Sequence, residues 1–358
     1  MKTNYLSVIL LLVASSFATA QRTRIADLPP VSVEEAGFSQ DSLDALDRYI
    51  YSHEQNDFRG LTIIKDHKVV IEYFYNNTER TDINDIRSAG KSLTALLLGI
   101  AIEDGLVKDV EQDVYSFFSK EKYPQLNEDL KEVKIKHLLS MSSGLDADSD
   151  NWKTLGHAGQ WMDKDDWVSY ILSIPLKRKP GKRWVYADIN SALIGAIIEE
   201  TSGMSLNDYA KEKVFTPLGI KKYYWYTNPS NQTVASGTLY LSTLDFAKLG
   251  VLVANGGKWA DQQIIPADYI QQVIISKTME GQKGRTVWDS YGMLWYKRQA
   301  TIRDEKVDCI WASGNGGNHL IVVPKEKLVI ALTSTAYGYG YGQLRSYTIH
   351  KKLFEAMR

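Results

Sequence analysis

The spacing of apolar residues changes along the chain, and each change predicts a different element. Residues 39–55 place apolar side chains at helical spacing behind a Ser/Asp start, which predicts an amphipathic helix. Residues 60–75 (GLTIIKDHKVVIEYFY) predict two strands about a polar turn at Asp66-His67. From residue 88 to about residue 225 the pattern is mainly helical, with Pro and Gly between the segments.

Strand patterns return in the last third of the chain. After a helical segment that begins near Leu241, they occur in YGMLWYKR, DCIWAS, HLIVVP and KLVIALTS. The last two are joined by a predicted hairpin turn at 324–326, and residues 343–357 predict a C-terminal helix. Early and late strands with helices between them predict an α/β (α+β) fold, in which one central antiparallel sheet is formed by both chain ends and flanked by helices.

The same pattern predicts one folded domain over residues 21–358. Its sheet region should comprise residues of about 40–90 and 230–358, with a mostly helical region of about 91–229 inserted between them. We expect a ligand cleft where the inserted helices meet the sheet, because binding sites favour such junctions.

The first 20 residues predict a cleavable secretory signal. Lys2 precedes the apolar stretch 6–17, and residues 18–20 (Ala-Thr-Ala) fit a cleavage site. The apolar stretch is too short for a membrane span, which needs about 20 apolar residues. We therefore expect a soluble mature protein, periplasmic or secreted, that begins near Gln21.

Composition narrows the class of protein further. The 358 residues are 44% hydrophobic and 24% charged, which is typical of a folded globular protein. Lys and Arg (42) nearly balance Asp and Glu (43), so the charge favours neither nucleic acid nor an anionic membrane as partner. One cysteine, Cys309, excludes an internal disulfide, and no Cys or His spacing is typical of a metal site. We predict no metal and no cofactor.

Ser88 and Lys91 form a Ser-x-x-Lys pair at the start of an almost entirely apolar helix. Side chains at i and i+3 lie on one helix face, with Cβ atoms about 5–6 Å apart, so Lys91 can reach the serine hydroxyl. Burial disfavours an ammonium ion, which predicts an amine neutral enough to take the serine proton. The helix N-terminus favours a developing oxyanion. These groups are what acyl transfer requires.

Other interpretations of this pair stay open at this point. The same spacing recurs at Ser119 and Lys122, in a charged stretch, and Ser88 could simply be a helix N-cap. Residues 90–92 (Gly-Lys-Ser) imitate the end of a phosphate-binding loop, but Asp85 stands where that loop needs its first glycine. Its carboxylate would repel phosphate, so we reject the loop.

Two more segments complete the candidate site. Tyr186 precedes a predicted helix start at Asp188, itself an obvious N-cap, and this setting would aim the tyrosine hydroxyl into a cleft. Tyr-x-Asn matches elsewhere, at Tyr75 and Tyr226, lack that setting. The glycine-rich stretch 313–318 lies between two strands, where glycines are often just a bend but also let a substrate carbonyl approach backbone amides.

In this order the segments resemble the serine β-lactamase and penicillin-binding-protein-like hydrolases, most closely the class C-like β-lactamase-related esterases and amidases. The resemblance covers about residues 60–353 and implies the β-lactamase/transpeptidase-like fold. It rests on RSAGKSLTALLLGIAIEDGLV, KIKHLLSMSSGL, PGKRWVYADINSALIGAIIEETSG, LYLSTLDFAKLGVLVANGGKW, YGMLWY and GNGGNHLIVVPKEKLVIALTS.

The resemblance implies a role for each candidate. Ser88 would be the acylated nucleophile, Lys91 its activating partner and Tyr186 the general acid/base. Asp188 stands where the family's Tyr-x-Asn motif has asparagine. Backbone amides of Ser88 and of a residue near Asn315 would form the oxyanion hole.

The third motif departs from the family's pattern. It usually begins with a Lys or His that helps bind a substrate carboxylate, whereas the best match here is Ala312-Ser313-Gly314, and the register could shift by one or two residues. His319 lies beyond the glycines. The departure weakens the interpretations as a β-lactamase or a peptidoglycan peptidase, both of which act on substrates with a carboxylate, and favours an esterase or amidase like the branch that includes nylon-oligomer hydrolases. We expect an exported serine hydrolase that acts on a small ester, amide or peptide-like substrate. A β-lactamase or penicillin-binding DD-peptidase, and an inactive binding or sensor protein, remain alternatives. The sequence predicts no oligomeric state.

Overall fold

The computed structural model describes residues 28–276, 279–280 and 288–358, and of residues 279 and 280 only the backbone. The predicted signal at residues 1–20 lies outside this part of the chain. Among the described residues, no helix combines the length and the apolarity needed to cross a bilayer.

Helices occupy the middle of the chain and both of its ends. The α-helices, numbered α1 to α10, are Gln40–His53, Gly90–Glu103, Ile135–Leu139, Ala158–Trp161, Trp167–Leu172, Asp188–Ser202, Leu206–Ala210, Thr243–Ala254, Ala267–Ile275 and Gly340–Glu355. Short 3₁₀ turns lie at Arg87–Ala89, Val114–Phe117, Glu128–Lys131 and Pro324–Glu326, and a π-helical turn at Lys211–Phe215.

The strands, numbered β1 to β13, fall into one large and two small sheets. They are Phe58–Lys65, Lys68–Phe74, Asn84–Asp85, Tyr224–Trp225, Leu239–Leu241, Lys258–Trp259, Gln262–Gln263, Met279–Glu280, Ser290–Gly292, Trp295–Ile302, Glu305–Gly314, Asn318–Val323 and Leu328–Ser334. β3, β5 and β4 form one small sheet, and β6 and β7 the other.

The large sheet confirms the predicted architecture. The described strands pair in the order β2-β1-β13-β12-β11-β10-β9-β8, and each pair is antiparallel. β1 from the N-terminal part lies beside β13 from the C-terminal part, with Ile63 opposite Ile330. Asp66 and His67 both have left-handed backbone angles (φ 48° and 60°), as in two-residue hairpin turns whose twist matches the strands.

One strand prediction needs correction. The segment YGMLWYKR forms two strands, β9 and β10, joined by a tight turn at Met293-Leu294. Both turn residues have positive φ (54° and 59°), which glycine or asparagine adopts at lower cost. Because the turn residues are themselves buried and apolar, the hydrophobic pattern runs through the turn and could not mark it.

The sheet divides the protein into two hydrophobic cores. Successive side chains of a strand point to opposite faces, so Val329 and Ala331 of β13 join one core and Ile330 joins the other. The first core also contains α2, α6 and α8, and the second contains α1 and α10. Every residue from 90 to 101 is buried, which explains why α2 shows almost no polar face and places its N-terminus deep in the protein.

Candidate active site

Ser88 lies in a tight turn between β3 and α2. The Asp85 carboxylate accepts the backbone N–H of Arg87 (2.8 Å), and Arg87 adopts a left-handed conformation (φ 55°). The 3₁₀ turn Arg87–Ala89 then leads into α2, whose N-cap position is Ala89. No side chain caps this helix, so the interpretation of Ser88 as an N-cap is wrong. Its hydroxyl remains available for other contacts.

The Lys91 amine has an acceptor for each of its protons. Nζ donates to Ser88 Oγ (3.0 Å) and to the Ser236 carbonyl (2.6 Å), and it forms an ion pair with Asp188 Oδ1 (2.7 Å). The Lys91 side chain is only 2% exposed. An ammonium group has three N–H donors, and a neutral amine has two. This arrangement therefore suits the charged form.

The predicted neutral amine is accordingly wrong for the resting protein. Burial lowers the pKa of Lys91, but the negative charge of Asp188 and the Tyr186 hydroxyl oppose it, and the pKa lies above its ordinary value. The sequence argument counted burial alone and lacked the carboxylate that compensates for it.

Tyr186 lies against the same amine. Its ring centroid is 5.1 Å from Nζ, and its hydroxyl is one of the groups that raise the pKa of Lys91. The extended segment before α6 is fixed by two backbone bonds, from Val185 N–H to the Met141 carbonyl (2.8 Å) and from Ser149 N–H to the Tyr186 carbonyl (2.9 Å).

The other two tyrosine matches are elsewhere. Tyr75 is buried in the second core, where its hydroxyl donates to Asp47 (2.7 Å), and Tyr226 is exposed. Neither contacts Ser88 or Lys91 in the described structure.

Asp188 faces the amine instead of capping a helix. It is the first residue of α6, whose N-cap is Ala187, so the expected N-cap role is wrong. While Oδ1 contacts Lys91, Oδ2 accepts the Ser149 hydroxyl (3.0 Å), and the Asp188 N–H donates to Ser149 Oγ (3.1 Å). Partial positive charge at a helix N-terminus stabilises a carboxylate there. These contacts fix Asp188 in one orientation.

The glycine of the third segment brings β11 against the nucleophile turn. A Cβ on Gly314 would lie 2.0 Å from the Ile86 carbonyl oxygen, so only glycine fits at this position. Asn315, the next residue, lines the cleft above Ser88, and its side-chain oxygen accepts the Gly338 N–H (2.6 Å). Gly314 and Asn315 are thus adjacent to the serine.

Ser313, by contrast, contacts a buried histidine on the neighbouring strand β12. Its hydroxyl hydrogen-bonds to His319 Nε2 (3.1 Å), and it is not among the described residues that line the cleft. Burial lowers the pKa of His319 to about 4, so this histidine is neutral near pH 7. Neither it nor the buried Ala312 supplies the cation that the third motif lacks.

These elements enclose a cleft of about 410 Å³ with Ser88 in its wall. A larger cavity of about 620 Å³, between β10 and α10, contains none of the candidate residues. The residues that line the cleft are Arg87, Ser88, Met162, Asp188, Val234, Ser236, Gly237, Thr238, Asn315, Tyr337 and Gly338.

Sequence reasoning missed four contributors to this site: Arg87, Ser149, Tyr337 and the Ser236 carbonyl. Tyr337 belongs to the repetitive segment AYGYGYG, in which no sequence feature distinguishes it from Tyr339 and Tyr341. Ser149 and Ser236 come from loops without periodicity, and a backbone carbonyl carries no sequence signal. A positive φ at Arg87 has none either, because arginine is not typical of that conformation.

The comparison with protein families decides the relationship. A family model described as Beta-lactamase matches residues 53–353. The chain belongs to the β-lactamase family. The matched range contains Ser88, Lys91, Tyr186 and the third segment.

Curated members of the β-lactamase family differ in their named activities. A candidate D-alanyl-D-alanine carboxypeptidase of Escherichia coli O157:H7 is 26% identical over 62% of this chain and 55% of that protein. The N-acetylmuramyl-L-alanine amidase of Bacillus subtilis is 25% identical over 53% of this chain and 48% of that protein. The lovastatin esterase of Penicillium rubens is 25% identical over 49% of this chain and 47% of that protein. The chain thus spans about half the length of the curated relatives that it matches.

Solved structures agree on the β-lactamase fold. A candidate 6-aminohexanoate-dimer hydrolase from Bacillus anthracis superposes with a TM-score of 0.73 at 15% identity, covering 92% of this chain and 87% of that one. A penicillin-binding protein homologue from Caulobacter crescentus gives a TM-score of 0.69 at 15% identity, covering 90% and 99%. At these identities the likeness concerns the fold.

Proposed function

We propose that this protein is an exported serine hydrolase that cleaves ester or amide bonds through an acyl-serine intermediate. One observation carries the proposal: a buried amine contacts the Ser88 hydroxyl on one side and the Asp188 carboxylate on the other, at the wall of a cleft. A nucleophilic serine needs a group that removes its proton, held in place by a further group. Lys91 and Asp188 meet those two requirements.

The charge of Lys91 determines the route by which the Ser88 proton can leave. An ammonium ion can accept a proton only if it releases another, and Asp188 Oδ1 lies 2.7 Å from Nζ. As Ser88 Oγ attacks a carbonyl carbon, its proton passes to Nζ and a proton of Nζ passes to Asp188. The carboxylate becomes a neutral acid, and its negative charge is replaced by the one that develops on the substrate oxygen.

Backbone amides beside Ser88 would donate hydrogen bonds to the negatively charged substrate oxygen. The close approach of Gly314 to Ile86 supports this assignment, because it brings the backbone at Asn315 next to the turn that carries Ser88. Fixed N–H donors aimed at a developing oxyanion often give the largest single contribution to acyl transfer.

Departure of the leaving group needs a proton, and we assign this role to Tyr186. Its ring centroid lies 5.1 Å from Lys91 Nζ, so a proton lost to the leaving oxygen or nitrogen can be replaced from Nζ, which recovers one from Asp188. Each proton taken from Ser88 is then returned to the product. Water would cleave the acyl-serine through the same steps in reverse order.

The family relationship supports hydrolysis, and the third motif bears on the substrate. Ala312 leaves no cation at the position where the third motif usually has one, which weakens the β-lactamase and DD-peptidase alternatives that depend on that position. Export is supported by the secretory pattern of residues 1–20. It is tested by N-terminal sequencing of the protein from periplasm and culture medium, where we expect a start near Gln21; an intact Met1 in both would contradict export.

The activity is tested with a panel of 4-nitrophenyl esters, short anilides and a chromogenic cephalosporin. We expect turnover of at least one ester or anilide by the wild-type protein and none above background by Ser88→Ala. Turnover that survives in Ser88→Ala would contradict the assignment of the nucleophile. Fast cleavage of the cephalosporin alone would favour the β-lactamase alternative.

A further inference from the structure

Arg87, the residue before the nucleophile, extends its side chain along the cleft. It lines the cleft beside Ser88, and its side chain is 40% exposed. The guanidinium carbon lies 4.0 Å from the ring centroid of Tyr337, which also lines the cleft. A cation on an aromatic face is held in a fixed plane, so its position relative to Ser88 is defined.

The guanidinium of Arg87 already faces one carboxylate. Nε is buried and lies 3.2 Å from Asp85 Oδ2, in an ion pair to which Nε donates no hydrogen bond, and that carboxylate is 3% exposed. Because Nε is buried, the two terminal nitrogens are the donors left for a ligand in the cleft. Within the described residues, Asp85 is the only acid that forms an ion pair with Arg87.

The backbone restricts this orientation further. The Asp85 carboxylate accepts the Arg87 N–H, and the Tyr337 hydroxyl donates to the Asp85 carbonyl (2.9 Å). Asp85, Arg87 and Tyr337 thus form one connected unit beside Ser88. Arg87 adopts a left-handed conformation (φ 55°), which is costly for a residue other than glycine and persists only where surrounding contacts hold it.

We propose that Arg87 binds a carboxylate on the substrate, so that the enzyme prefers esters or amides that carry a free acid group. The inference rests on the proposed hydrolase function and names its substrate class. It also revises an expectation from the sequence, in which the neutral Ala312 favoured substrates without a carboxylate. The cation missing from the third motif is replaced by one from the nucleophile turn, on a different element.

A carboxylate matches this cation better than a phosphate does. Arginine binds a carboxylate with two parallel hydrogen bonds from one edge of its fork, and the two terminal nitrogens of Arg87 form such an edge. The positive charge is partly balanced by Asp85, and Asp188 adds a carboxylate to the cleft wall. A single negative charge suits this environment, whereas a phosphate dianion would need further donors.

The test uses two matched pairs of substrates. In the first pair, 4-nitrophenyl hydrogen adipate carries the acid on the acyl chain, and its methyl ester is neutral. In the second pair, 3-carboxyphenyl butyrate carries the acid on the leaving group, and its methyl ester is the control. The quantity measured is the ratio of kcat/KM for the acid to kcat/KM for the neutral ester.

We expect Arg87→Gln to lower this ratio about tenfold in at least one pair, as for loss of one charge-assisted hydrogen bond. Arg87→Lys should keep part of the preference. Arg48→Gln, which removes an exposed cation from α1, should leave both ratios unchanged. Ratios that stay at the wild-type value in Arg87→Gln for both pairs would overturn the proposal, even though the esters are cleaved. A wild-type protein that cleaves none of the four esters would instead contradict the hydrolase function itself.

A second variant tests whether a loss of acid preference in Arg87→Gln is caused by misfolding. Burial raises the pKa of Asp85 and the Arg87 charge opposes that rise, so loss of the arginine leaves an acid that is costly to keep charged. The double variant Asp85→Asn/Arg87→Gln leaves no unpaired buried charge at this pair and keeps a side-chain oxygen for the backbone N–H at position 87. It should show the same loss of acid preference.

Discussion

The chain contains the Ser-x-x-Lys spacing twice, and the two copies have opposite surroundings. Lys91 is buried and contacts Ser88, Asp188 and the Ser236 carbonyl. Lys122 is 59% exposed and pairs with Glu200 (2.6 Å).

The serines differ as well. The Ser88 hydroxyl accepts a hydrogen bond from its lysine amine, whereas Ser119 is exposed and its hydroxyl accepts the backbone N–H of Lys122 (3.3 Å). The first pair lies at the start of a buried helix and the second in a surface turn. An exposed ion pair contributes about 0–1 kcal/mol and leaves the charges hydrated. Chemistry therefore depends on the partners that enclose the lysine, and the spacing alone does not supply it.

The two copies of the spacing should differ most in activity when the lysine of each is replaced by glutamine. Lys91→Gln removes the group that carries protons from Ser88, and we expect kcat/KM on the best ester to fall about 10²- to 10⁴-fold. Glutamine can still hydrogen-bond to Asp188, so the folded structure should persist. Lys122→Gln should leave activity within about twofold. Equal losses in the two variants, with matched melting curves, would show that Lys91 has no special role.

The charge of Asp188 should set the pH dependence of the first copy. In Asp188→Asn the final proton acceptor is no longer a carboxylate but the Lys91 amine itself, and amines titrate at higher pH than carboxylates. We expect the acidic limb of the pH profile of kcat/KM to move to higher pH. Glu200→Gln, the matching change beside Lys122, should leave the profile unchanged. A limb that stays in place in Asp188→Asn would exclude Asp188 as the proton acceptor.

The smallest effect on activity is expected at Glu199, near the second copy. Burial raises the pKa of this side chain to about 7, although it accepts the backbone N–H groups of Leu206 (2.9 Å) and Thr233 (3.0 Å). The folded protein thus holds a proton that the unfolded chain releases near pH 4.5. The resulting stabilisation of the folded protein is complete below pH 4.5 and is lost as the pH rises to about 7. The free energy of unfolding should fall by roughly 3 kcal/mol over this range.

Glu199→Gln should remove this pH dependence without changing kcat. Urea unfolding at pH 5 and pH 8 measures the difference, and Glu200→Gln provides the control. A variant whose free energy of unfolding still falls as strongly as that of the wild type between these pH values would contradict the assignment to Glu199.

The comparison also explains what the sequence could predict. The sheet and its helices follow from apolar spacing, because buried faces repeat with the period of the element. The position of Ser88 beside Lys91 follows from the i, i+3 geometry of a helical turn, and the structure has them 3.0 Å apart.

What the sequence could not predict depends on contacts between distant segments. The charge of Lys91 is set by Asp188, 97 positions later (188 − 91), and by the Ser236 carbonyl. The two-residue turn at Met293-Leu294 contains none of the residue types that are typical of turns, so it depends on tertiary packing. No sequence feature distinguishes Arg87, and its place in the cleft follows from the packing of its turn against the distant Tyr337.

The most direct measurement is the reaction of folded protein with a fluorophosphonate, followed by peptide mass spectrometry. The reagent phosphonylates a serine only when its hydroxyl is activated. We predict one adduct per chain, on Ser88, with Ser119 unmodified and with labelling slowed in Lys91→Gln. Folded protein that cleaves esters but carries the adduct on another serine, or labels Ser88 equally fast without Lys91, would contradict the account.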